Sequence, residues 1–322
     1  MSSQSLPYYG IEDIKRALPM PKAIEVMREA FRALHGGQVT MPVRLGLNTP
    51  NGLNLFMPAY IAGGGLGQKV VTVYGGNPVR GLPTIHAVVL LINPETGQPQ
   101  ALVEGTYLTA LRTGAVTGLA TDILANSQAC VLTVFGAGGQ APSQIEAVCA
   151  VRPIEEVRII SRGDSAEMLA MKLAELDPTR HYIATADRKQ AVLSADVIVC
   201  TTTAREPLFD GNWVRPGTHV NAVGAYTPQM REVDAVLLKR AIVTVDQREA
   251  ALHEAGDLLI PIRSGEWQSD QIQADLGELV TGAKHFPYHA DRITFFKSDG
   301  LAVEDIAAAQ AVVAETARLT NL

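Results

Sequence analysis

The chain has 322 residues, 47% of them hydrophobic and 19% charged, with a net charge of −6. At about 150 residues per domain this predicts two domains with a sizeable core and excludes wholesale disorder. The absence of a Lys/Arg run and an aromatic content of only 5% count against a nucleic-acid partner. Three cysteines, at 130, 149 and 200, match no zinc spacing and fit a reducing compartment. No apolar signal segment is read at the start, and no stretch reaches about 18 apolar residues, so a cytoplasmic protein with no membrane partner is expected.

Residues 22–35, KAIEVMREAFRALH, place Ile24, Met27, Phe31 and Leu34 on one helical face, with Pro21 at the start and Gly36-Gly37 at the stop. The runs 88–93 and 100–105 flank the turn composition Pro94-Glu95-Thr96-Gly97 and predict a hairpin in an antiparallel sheet. Residues 108–125 predict a helix crowded with small side chains at Thr113, Gly114, Ala115, Thr117 and Gly118, so a partner or ligand can approach its backbone closely.

From residue 129 the pattern changes. Short apolar runs at 130–139, 157–162, 181–186, 196–203, 219–225 and 241–246 alternate with helical segments, which predicts a doubly wound parallel sheet covered on both faces. The Ala-rich segment 301–319 predicts a final helix that returns to the first domain. The expected architecture is α/β. Residues 119–300 form a Rossmann dinucleotide-binding domain. Residues 1–118 and 301–322 form a discontinuous α+β domain for substrate and dimerisation.

Gly136-Ala137-Gly138-Gly139-Gln140-Ala141 follows the first of these strands and matches G-x-G-x-x-A. Gly136 permits the tight turn, Gly138 admits the pyrophosphate, and Ala141 lets the helix pack closely, its positive end toward the phosphates. The second strand ends in Ser161-Arg162, where an NAD site usually carries an acid. Both side chains suit a 2′-phosphate, so NADP(H) is preferred and NAD(H) remains possible. The other reading makes Arg162 a solvated surface residue and gives the ribose to Asp164. Thr201, Thr202, Thr203, Val223 and Gly224 end later strands at the same carboxyl edge and are further cofactor candidates.

Taken with MPAY (57–60), GQKVVTVY (67–74), the segment 81–105, LTALRTGA (108–115), HVNAVGA (219–225) and FKSDGLAVED (296–305), the fingerprint resembles the ornithine cyclodeaminase/mu-crystallin family over nearly the whole chain. The resemblance implies a homodimer acting on small α-amino or α-imino acids with a nicotinamide cofactor. It also implies that Arg44, Lys69 and Arg112 bind the substrate carboxylate, and that Thr84, Thr113, Ser298 and Asp299 contact cofactor.

Physical chemistry adds independent weight. A small carboxylate needs clustered, partly desolvated cations, best with bidentate arginine geometry. Arg112 is the bulky exception on the small-residue helix. Lys69 enters an apolar strand, where it is either an edge residue facing solvent or a buried functional group. For Arg44, after Pro42, the alternative reading is a surface arginine.

The resemblance implies that cyclodeaminases and some alanine dehydrogenases of this family place an aspartate after the strand matching HVNAVGA, and here that position is Tyr226. Tyrosine, with a pKa near about 10, is a poor base at neutral pH, which counts against cyclodeamination. Reduction of a preformed iminium asks only that its carboxylate be held and the hydride aimed. The expected reaction is therefore NAD(P)H-dependent reduction of a cyclic ketimine carboxylate, Δ1-pyrroline-2-carboxylate or Δ1-piperideine-2-carboxylate, to proline or pipecolate. Lys69 or water would supply the nitrogen proton, with Tyr226 orienting that water. Alternatives are an ornithine cyclodeaminase, an alanine dehydrogenase-like enzyme, or a non-catalytic binder of NADPH and a small ligand. His285 and His289 flank Pro287 and lack an acidic third ligand, so no metal is expected.

Overall fold

The computed structural model describes residues 6–320. Chain contacts divide it into two compact units: the chain up to Arg112 together with Leu301 onward, and Thr113–Gly300. The first boundary falls six residues before the expected 118/119, inside a continuous helix, α3 (Gly105–Leu124).

In the first unit, α1 (Ile11–Ala17) and α2 (Met20–His35) precede a seven-stranded sheet among the described residues. Its members are β1 (Tyr8–Tyr9), β2 (Val39–Thr40), β3 (Leu45–Thr49), β4 (Gly52–Ile61), β5 (Leu66–Val73), β6 (Ile85–Ile92) and β7 (Pro99–Glu104). The order is β1-β7-β6-β5-β4-β2, with β3 also on β4; β6 and β7 form the predicted antiparallel hairpin. One register row runs Met57↔Lys69↔Val89↔Val103, and all four side chains are buried on one face. Strand alternation dictates this. Helix α2 buries Met20, Ala23, Ile24, Met27 and Phe31 at helical spacing and packs on the C-terminal helix Ala302–Thr320, which itself covers β4, β5 and β6.

The second unit is an eight-stranded, wholly parallel sheet among the described residues. Its strands are β8 (Val131–Phe135), β9 (Glu156–Ile160), β10 (His181–Ala184), β11 (Val197–Cys200), β12 (His219–Ala222), β13 (Ala241–Val245), β14 (Ile272–Asp275) and β15 (Ile293–Lys297). The order β10-β9-β8-β11-β12-β15-β13-β14 reverses direction between β8 and β11, the switch point of a Rossmann sheet. Sequence reading anticipates six of these strands and misses β14 and β15, although β15 lies between β12 and β13. Each predicted strand ends one to four residues early, where the chain turns into the loop at the carboxyl edge.

Between strands, α4 (Ala141–Val151), α5 (Ser165–Leu176) and α6 (Arg188–Ser194) cover the half of the sheet that carries the fingerprint. Small residues of α3 allow the expected close approach: a Cβ on Gly114 would lie 2.5 Å from Ser143 O in α4.

Candidate active site

The segments that follow β8, β9, β11, β12 and β15 leave the carboxyl edge of the parallel sheet, where ligands of open α/β sheets bind. After β8, Gly136 takes φ +107°, and its absent Cβ would lie 2.6 Å from Thr201 O after β11. Only glycine allows that turn and that approach at the switch point. Gly138 and Gly139 face open space, as a phosphate cradle needs. Gln140 caps α4, and Ala141 and Pro142 occupy its first turn.

A cavity of about 740 Å³ opens here, lined by Gly136, Gly138, Ser161, Arg162 and Thr201–Thr203 among others. Its wall includes Ser165 and not Asp164. Buried Gln140 Oε1, Thr201 Oγ1 and Ser298 Oγ lack hydrogen-bond partners within the protein. Buried polar atoms of this kind call for a ligand or water, and a dinucleotide fits these residues.

Beneath this edge lies an ionic network that sequence reading misses. Glu232, fully buried, accepts hydrogen bonds from Thr202 N (2.6 Å), Thr202 Oγ1 (2.8 Å), Gly224 N (2.8 Å) and Ala225 N (3.2 Å). It thereby ties together the loops after β11 and β12, including two of the candidate cofactor residues. Asp257 Oδ1 holds the Glu232 and Val233 amides. Lys297, at the end of β15, donates to the carbonyls of Ala222, Ala225 and Ser298 and lies 3.5 Å from both Asp257 and Asp299.

Burial disfavours the Lys297 charge, but Asp299, Asp257, Glu232 and Asp246 outweigh it and raise its pKa. Asp246 Oδ2 accepts from Asp299 N and Gly300 N, fixing the backbone after Ser298. Val223 N donates to Cys200 O, and Tyr226 is half-buried just beyond.

In the other unit, Lys69 and Arg112 come together. Arg112 Nε donates to Asp305 Oδ1 at 2.9 Å and Nη1 to Glu304 Oε2 at 2.5 Å, while Lys69 Nζ lies 2.6 Å from Asp305 Oδ2. All four side chains are at least nine-tenths buried. Burial and the adjacent Arg112 push Lys69 down to about 8, against the pull of Asp305 and Glu304. For Arg112, burial is outweighed by the two acids, and its pKa rises.

The acids occupy the first turn of the C-terminal helix, where its dipole favours negative charge, and Glu304 also accepts from Leu301 N at 2.9 Å. Sequence reading counts the cations and not these two acids. The signal for them is an acid pair in the first turn of an apolar helix that opens just after a glycine break at Gly300.

Arg44, half-buried, immediately precedes β3. The β3–β4 register begins at Leu45↔Phe56, one step from Met57, the partner of Lys69. Thr84 lies just before β6, its carbonyl accepting from Tyr74 N, and Thr113 is buried in α3. No group of three metal-ligating side chains occurs among the described residues, and no helix among them is long and apolar enough to cross a membrane.

This is a Rossmann dinucleotide-binding protein with a second, α+β unit built around buried cations. The chain belongs to the ornithine cyclodeaminase/mu-crystallin family, whose model matches residues 9–320. A Δ1-pyrroline-2-carboxylate reductase of Bacillus cereus is 38% identical, covering 92% of each chain. The structure of the Thermococcus litoralis Δ1-pyrroline-2-carboxylate reductase in complex with NADH and L-proline superposes with a TM-score of 0.94 at 35% identity, over 98% of both chains. An archaeal alanine dehydrogenase dimer with bound NAD gives 0.91 at 34% identity, over 98% of this chain and 97% of that one.

Proposed function

We propose that this chain reduces a cyclic ketimine carboxylate, with Δ1-pyrroline-2-carboxylate or Δ1-piperideine-2-carboxylate as substrate and proline or pipecolate as product. It is an enzyme, a nicotinamide-dependent imine reductase. The observation that carries this reading is the buried Lys69–Arg112 pair. Two cations are kept charged in a desolvated site by Asp305 and Glu304. The second unit of the chain supplies the glycine cradle. Relatives named for pyrroline-2-carboxylate reduction support the same substrate class.

Each residue has a distinct task. Arg112 holds the substrate carboxylate with the guanidinium edge that its bonds through Nε to Asp305 and Nη1 to Glu304 leave over. Lys69, and Arg44 beside its row, complete the anion site. A bound reduced nicotinamide supplies the hydride. Lys69 keeps the imine nitrogen protonated, since a lysine near pKa 8 is a competent acid at neutral pH. Tyr226 orients water, and it stands where a cyclodeaminase carries its aspartate.

NADP(H) is the favoured cofactor because the β9 end offers Ser161 and Arg162 to the cavity, whereas Asp164 is absent from its wall. The enzyme acts as a homodimer in the cytosol. The sheet face opposite Lys69 leaves Leu45 and Leu47 67% and 54% exposed, an apolar surface suited to a second copy.

A panel of cyclic ketimine carboxylates, 2-oxo acids with ammonia, and ornithine, run with both cofactors, tests the assignment. NADPH oxidation with Δ1-pyrroline-2-carboxylate is expected. Ammonia release from ornithine without imine reduction would overturn it.

The pH profile follows from Lys69. Its depressed pKa means the charged form is lost early, so kcat/KM is expected to fall about tenfold per pH unit above about 8. In K69R the falling limb moves beyond about 10. A wild-type profile level to that pH would contradict a role for the Lys69 proton.

A further inference from the structure

The dinucleotide cavity carries more positive charge than a ribose requires. Arg162, Arg188 and Arg205 all line it, against one acid, Glu206. Arg188 opens α6 just after β10, and β10 pairs in parallel with β9 through Ala184↔Ile159. The chain leaving β10 therefore runs beside the chain leaving β9, which carries Ser161 and Arg162. Arg188 Nη1 donates to Leu208 O at 3.3 Å, which anchors the guanidinium by one nitrogen to the segment after β11 that also lines the cavity. Ser161 Oγ and Ser165 Oγ lie 2.8 Å apart, and Ser165 Oγ donates to Arg162 O at 3.2 Å. Two hydroxyls and two guanidiniums thus share one cavity wall. Ribose hydroxyls are typically met by a carboxylate, whereas two guanidiniums beside hydroxyls that can turn to donate suit a phosphate with its three strong acceptor oxygens.

We propose that Arg188 and Ser165 complete a 2′-phosphate site whose other half is Ser161 and Arg162, making Arg188 a determinant of NADP(H) specificity. The inference rests on the NADP(H) reading above and adds the residues that enforce it. Arg188 is anchored before ligand arrives, so its fork loses less freedom on binding than a solvated arginine would.

Calorimetric titration of the full-length enzyme tests this, using NADPH, NADH, adenosine 2′,5′-bisphosphate and AMP on wild type, R188A, R188K and R162A. R188A is expected to weaken NADPH and the bisphosphate by about tenfold or more, and NADH and AMP by less than about twofold. R188K recovers part of the loss, because it restores the charge without the fork. Equal losses for NADPH and NADH, or no loss for either, in an enzyme whose wild type prefers NADPH would overturn the role of Arg188 alone. A wild type that binds NADH more tightly than NADPH would overturn the cofactor reading, and this inference with it.

Discussion

Replacing Arg112 by lysine is expected to lower kcat/KM by about a hundredfold while leaving the melting temperature within a few degrees. Arginine contributes a planar fork. Its Nε and Nη1 are committed to Asp305 and Glu304 at 2.9 and 2.5 Å, and the rest is available to an anion. Lysine keeps the charge that neutralises the acids but cannot grip both them and a substrate. R112A is expected to lose more, about a thousandfold or above. It also takes the guanidinium away from two buried carboxylates, a change that costs about 3–5 kcal/mol of stability. R112K therefore separates recognition from folding. Steady-state kinetics and thermal melts on both variants check this, and R112K activity within about threefold of wild type would contradict the assignment.

The largest stability effect is expected at Lys297. Its ammonium is fully buried, 3.5 Å from Asp257 and Asp299, and bonded to three carbonyls. K297M removes the ammonium that faces the buried Asp257 carboxylate and strands negative charge in the interior. The expected loss is about 3–5 kcal/mol, or on the order of 10 °C in melting temperature for a unit of this size. The double variant K297M/D257N is expected to regain part of it, because the second substitution removes one stranded charge. Differential scanning calorimetry would measure both. A K297M melt within about 2 °C of wild type would show that the network does not hold the loops.

What the sequence disclosed and what it withheld follow from where the interactions lie. The fingerprint was legible because Gly136, Gly138 and Ala141 act locally, through turn geometry and close approach. The hairpin of β6 and β7 was legible from alternation and a turn composition. Lys69 and Arg112 stood out as charged residues in apolar or small-residue surroundings, and the fold does bring them together.

Their counter-charges were not legible. Asp305 lies 193 residues from Arg112, and acids in a first helical turn read as ordinary capping. Lys297 gave a signal like that of Lys69, a lysine against an apolar run, at its end rather than its start, yet ITFFK was not read as a strand at all. Its partners Glu232 and Asp257 sit in loop and helix start, with nothing periodic to mark them as buried. Arg188 was invisible for another reason. Only the parallel pairing of β10 with β9 brings its loop beside Ser161 and Arg162.

The central claim is that the buried cations recognise the carboxylate of an imine. It is tested most directly by removing that carboxylate from the substrate and the fork from the enzyme, singly and together. The cycle compares kcat/KM for Δ1-pyrroline-2-carboxylate and Δ1-pyrroline in wild type and R112K. Wild type is expected to favour the carboxylate by about a thousandfold or more, and R112K to lose most of that preference while its rate on Δ1-pyrroline stays within about threefold. Equal losses on both substrates would contradict the account, because Arg112 would then support the protein without touching the acid group.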